Sequence, residues 1–146
     1  MKTLRARLWY MIALMHRFYG LRTGKRHFFV RSDDAFSRAL LYDPAMHAAR
    51  FNRGILYWRE LHAPARAVQD FTDVIAQTSI YTESLFLRGM AYQQMGDYHA
   101  AARDLEVYLA ENPSSRWHRN ASRQLSMIQA ILEEITRQIP SETSDN

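Results

Sequence analysis

Residues 82–115 read TESLFLRGMAYQQMGDYHAAARDLEVYLAENPSS, and this stretch decides the fold. Leu85, Gly89 and Tyr92 recur at i, i+4 and i+7, the spacing of one helical face, with Phe86 beside them. Ala101, Leu105, Tyr108 and Leu109 repeat that spacing after a break at Gly96-Asp97, where glycine can take the left-handed conformation that ends a helix. Asn112-Pro113 closes the second run. The pattern predicts two antiparallel helices whose small residues, Gly89 and Ala101, let the backbones come close.

The same spacing extends upstream. Phe51-Asn52-Arg53-Gly54-Ile55-Leu56-Tyr57 aligns with Phe86-Leu87-Arg88-Gly89-Met90-Ala91-Tyr92 at an interval of 35. Ala67-Val68-Gln69-Asp70-Phe71 aligns with Ala101-Ala102-Arg103-Asp104-Leu105 at 34, so the extra residue belongs to the intervening turn, His62-Ala63-Pro64. Pro64 suits the first position of a helix. Arg50 stands where the better copy has Leu85, and Ser79 replaces the closing proline. Further back, Phe36, Ala39, Leu40 and Pro44 match Leu105, Tyr108, Leu109 and Pro113, which marks the second helix of a more divergent copy.

Leu85, Gly89, Tyr92, Gly96, Tyr98, Ala101, Leu105 and Pro113 together resemble the tetratricopeptide repeat, a helix–turn–helix unit of about 34 residues. The resemblance implies an all-α solenoid of about three such hairpins, the first divergent. After Pro113, Ser114 and Ser115 can cap a last helix, whose seam Ala121, Leu125, Ile128, Leu132, Ile135 and Ile139 runs to about Gln138. A terminal helix of this kind covers the end of a solenoid. The expected organisation is a basic N-terminal helix and loop over residues 1–31, a helical repeat domain over 32–138 and a frayed tail over 139–146.

Composition narrows the function classes. At 146 residues, 47% hydrophobic and with few Gly and Pro, the chain has the make-up of one folded helical domain. It has no cysteine, which removes disulfides, thiolate metal sites and thiol nucleophiles and accords with the cytoplasm. The six histidines are scattered, and the acid pairs Asp33-Asp34 and Glu133-Glu134 are sequence neighbours that point apart on a helix. No glycine-rich phosphate loop is present. The reading is of a non-catalytic chain with no metal and no cofactor.

What the resemblance implies is protein binding, because the first helix of each hairpin lines the concave face of such solenoids. The groove positions fall on Phe51, Ile55, Trp58 and Arg59 in the middle copy and on Glu83, Phe86, Met90, Gln93 and Gln94 in the regular one. For Phe51, Ile55, Phe86 and Met90 the alternative role is packing against the next hairpin. Trp58 and Arg59 are the sharper candidates. Phe51, Asn52 and Trp58 do not reproduce the Lys/Asn/Arg set with which chaperone-binding members clamp a C-terminal carboxylate.

The charge is lopsided. Residues 1–31 hold eight basic side chains and no acidic one, while the rest of the chain holds eleven basic and fifteen acidic. Helix 3–19, with Gly20 as its stop, is read as half of the divergent repeat. Its apolar run Leu8–Met15 is too short to span a bilayer and lacks a cleavage site, so it is expected to be retained. The connection from Leu21 to Arg31 is expected to be a basic loop with a turn at Thr23-Gly24. Arg22, Lys25, Arg26 and Arg31 would form a surface for something acidic, either a protein or an anionic membrane; nucleic acid is disfavoured. Peripheral docking on a membrane or membrane complex through this end is the alternative to an adaptor.

Overall fold

The computed structural model describes residues 1–138. Over these residues it has seven helices: α1 (Lys2–Thr23), α2 (Arg26–Tyr42), α3 (His47–Arg59), α4 (Pro64–Gln77), α5 (Glu83–Met95), α6 (Tyr98–Glu111) and α7 (His118–Gln138). They form three antiparallel hairpins, α1–α2, α3–α4 and α5–α6, stacked in chain order, with α7 laid against α6. The tail expected over residues 139–146, including Ile139, lies outside the described residues.

The regular hairpin forms for the reasons its sequence suggests. Gly96 ends α5 with φ 81°, and the Asp97 carboxylate accepts the backbone N–H of Ala100 at 3.0 Å to cap α6. At the helix crossing, a Cβ added to Gly89 would stand 3.3 Å from the Ala101 carbonyl oxygen. In the middle hairpin Pro64 opens α4, and the one-residue-longer turn holds His62 at φ 52°.

Two ion pairs each join the two helices of one hairpin, and the arginine of each also reaches the preceding hairpin. The Arg53 guanidinium donates to both Asp70 oxygens at 2.8 and 2.7 Å and to the Ser37 hydroxyl of the preceding hairpin. One repeat later Arg88 does the same to Asp104, at 2.7 Å twice, and to Thr72. Between these pairs lies a core contributed by all hairpins, including Phe36, Leu56, Tyr57, Phe71, Leu105, Tyr108 and Ile128.

The N-terminal hairpin departs from the sequence expectation. Gly20 is not a stop: α1 continues through it to Thr23, and Gly24 caps the helix with φ 66°. Gly20 is buried because the Phe29 ring lies on it, so that an added Cβ would meet Phe29 at 2.6 Å. The basic loop from Leu21 to Arg31 is not a loop either. Only Gly24 and Lys25 separate the helices, and α2 runs unbroken across position 31. Ser32, expected to cap a helix, is buried within α2 and donates to the Ala13 carbonyl oxygen at 2.8 Å. Nearby, Asp33 accepts from the Tyr57 hydroxyl and pairs with Arg66, tying α2 to the next hairpin.

At the other end, α7 begins at His118 and not at Ser115. Ser115 instead belongs to the preceding turn, where its hydroxyl bonds to Tyr108 and accepts the Trp117 N–H. Ala121 and Ile128 are buried on the α6 side, with Leu125 and Leu132 packed beside them. Ile135, counted in the seam, is 43% exposed.

Candidate functional site: an apolar cavity between α3, α5 and the α6–α7 turn

Stacking α3 beside α5 leaves a cavity of about 550 Å³ on one face of the solenoid. Phe51, Ile55, Trp58 and Arg59 come to it from α3, spaced by four, three and one so that they share a helical side. Glu83, Phe86 and Leu87 come from the first turns of α5. Arg116 and Trp117 close it from the turn before α7. The size is that of a site for one or two side chains of a ligand.

The walls are held rigidly. Phe51 stacks on Tyr81 at 4.8 Å between ring centroids and meets Phe71 edge-on at 6.1 Å. Phe86 lies between Tyr108 at 5.7 Å and Trp117 at 5.9 Å, and only 8% of its surface is exposed. Trp117 is positioned by the Ser115–Tyr108 bond, which anchors its turn to α6. Phe86 is thus both floor and core. The rim is charged: Arg59 and Arg116 are exposed, Arg116 lies over the Trp117 ring at 5.2 Å, and Glu83 stands opposite in sign. Neither arginine is in an ion pair among the described residues.

Six of the nine groove positions inferred from sequence therefore surround one cavity. The other three, Met90, Gln93 and Gln94, lie one to two turns further along α5. They line a second, more open depression of about 440 Å³ with Tyr98, Gln124 and Ile131. Trp58 borders both depressions. Leu87, Arg116 and Trp117 were not legible as site residues. Leu87 neighbours Phe86 in sequence, but Arg116 and Trp117 reach the cavity only because the chain turns back after α6.

Asn52 is not free for a ligand, since its amide donates to the Tyr10 hydroxyl and the Ala48 carbonyl oxygen. The basic residues Arg22, Lys25, Arg26 and Arg31 are all exposed around the α1–α2 turn, away from this cavity's lining. No group of three His, Asp or Glu among the described residues is placed to hold a metal ion. Among them no helix is long and apolar enough to cross a membrane.

Solved structures share this architecture. The second tetratricopeptide domain of human RPAP3, in complex with the HSP70 peptide SGPTIEEVD, matches with a TM-score of 0.68 at 21% identity, over 85% of this chain and 98% of that one. The first such domain of Spaghetti (RPAP3), bound to the HSP90 peptide SRMEEVD, matches at 0.67 and 24% identity, over 85% and 95%. The Arabidopsis OM64 domain matches at 0.72 and 18% identity, over 86% and 97%. No protein-family model and no curated protein matches the sequence. The stacked hairpins and the residues repeated at 34 and 35 give this chain the tetratricopeptide-repeat fold, an all-α helical solenoid.

Proposed function

We propose that the chain is a non-catalytic adaptor that holds a short segment of a partner protein in the cavity between α3 and α5. The observation that carries this reading is the convergence of Phe51, Ile55, Trp58, Phe86, Leu87 and Trp117 on one apolar space with two exposed arginines, Arg59 and Arg116, at its rim. Aromatic and arginine side chains are the usual anchors of protein interfaces, and a rigid apolar pocket rewards one bulky side chain of the ligand. The peptide-bound structures of similar fold support a short peptide as the kind of ligand.

The chemistry differs from carboxylate capture. With Phe51 and Trp58 in the groove and Asn52 engaged with α1, these three positions do not form the Lys/Asn/Arg clamp for a chain end. The segment that fits carries an apolar or aromatic residue for the cavity and an acidic residue for Arg59 or Arg116. The second depression, with Gln93 and Gln94, offers amide hydrogen bonds to the segment's backbone beyond Trp58.

The test is affinity capture with the full chain and with a Trp58→Ala, Arg59→Ala double variant whose circular dichroism matches wild type. The variant should lose the partners that wild type retains. Equal capture by both would remove the groove assignment.

A further inference from the structure

The outer side of α1 is apolar where it should be polar. Leu4, Leu8, Met11, Met15 and Phe18 follow steps of four, three, four and three, so they form one stripe roughly 21 Å long. Each is between 47% and 72% exposed. The opposite side of the helix is also apolar: Ala6, Ala13 and Gly20 are buried, with Ala13 and Gly20 meeting Ser32 and Phe29 of α2. A helix that is apolar on both sides is ordinarily covered on both. Tyr19 and Leu21, flanking the stripe, are exposed as well, which widens the face at its C-terminal end.

Charge says what kind of cover fits. Arg7 borders the stripe, Arg22 continues it, and Lys25, Arg26 and Arg31 cluster beyond the α1–α2 turn. All are exposed, and none is in an ion pair among the described residues. No acidic residue occurs before Asp33. A second copy would bring two such basic faces together. A single partner helix is normally read by alternating charges beside the seam, whereas here the flanks are Arg5, Arg7, Tyr19 and Leu21. A broad apolar face ringed by cations of one sign fits a plane of anionic headgroups over acyl chains.

We infer that α1 docks the domain on an anionic lipid surface, lying in the interface with Leu4, Leu8, Met11, Met15 and Phe18 in the acyl boundary and the surrounding Arg and Lys among the headgroups. The role is separate from the α3–α5 cavity, so a tethered domain could hold its protein segment at the membrane. The packing expected of this helix from sequence holds on its α2 side, and the exposed stripe adds an outward face that packing leaves uncovered.

The experiment is sedimentation of the full chain with vesicles of phosphatidylcholine alone and of phosphatidylcholine with phosphatidylglycerol in about equal parts. Wild type should sediment with the anionic vesicles only, and high salt should release it. Leu8→Glu with Met15→Glu, both at exposed positions, should abolish binding without changing circular dichroism. Arg22→Gln with Arg26→Gln should weaken it roughly 30-fold while leaving the stripe intact. Failure of wild type to bind anionic vesicles, or full binding by either variant, would overturn the assignment. So would a wild-type dimer that Leu8→Glu with Met15→Glu splits, since that places a second copy on the stripe.

Discussion

Arg53 and Asp70 face each other with two hydrogen bonds of 2.8 and 2.7 Å, and the Asp70 side chain is only 3% exposed. Burial raises the Asp70 carboxyl above its ordinary value despite the pull of Arg53. On the other partner, burial works against the charge, yet the bonds to Asp70 more than offset it and the Arg53 guanidinium titrates above its ordinary value. A buried pair of this kind gains little net energy from its burial and loses much if broken. Asp70→Ala should therefore cost about 3–5 kcal/mol in urea unfolding. Arg53→Met with Asp70→Leu should recover most of that loss. A double variant as unstable as Asp70→Ala would show that the pair itself, and not the orphaned charge, decides stability.

Gly20 carries a packing constraint that its sequence context disguises. Gly20→Ala places a methyl 2.6 Å from the Phe29 ring, so it should destabilise the N-terminal hairpin by about 1–3 kcal/mol. Adding Phe29→Leu should restore part of the loss by vacating the ring's volume. Thermal unfolding of the single and double variants reads this directly, and an unaffected Gly20→Ala would refute the close contact.

Alkaline pH should loosen the joint between the first two hairpins. Burial, then the bond to Asp33, raise the Tyr57 phenol well above its ordinary 10.0, while Arg53 and Arg66 pull it down by less. Because the folded value lies above the unfolded one, this contribution is complete below pH 10 and is lost as pH rises past it. Burial raises Tyr10 in the same sense. Stability of wild type should fall steeply above pH 10, and Tyr57→Phe should show a shallower fall with lower stability at neutral pH. Equal slopes would contradict the linkage.

The hairpins were legible where local chemistry and tertiary packing agree. Gly96-Asp97, Pro64 and the small residues Gly89 and Ala101 each announce by type what they do. The N-terminal hairpin was not, because Gly20 looks the same whether it stops a helix or admits the Phe29 ring. Ser32 likewise looks like a cap until the Ala13 carbonyl is beside it. The groove positions on α3 and α5 came from the family resemblance, which names the helical side of each hairpin that would face a ligand. Arg116 and Trp117 had no such signal: their place depends on the Tyr108–Ser115 bond that folds the turn back over Phe86.

The most direct test of the cavity is a methyl-resolved NMR titration of the full chain with a peptide from a captured partner. Binding should shift the methyl signals of Ile55, Leu87 and Met90, which line the two depressions, and Ile55→Arg should abolish those shifts while leaving the fold intact. Shifts confined to exposed residues elsewhere, such as Leu41 and Val107, with unchanged affinity for Ile55→Arg, would contradict the account.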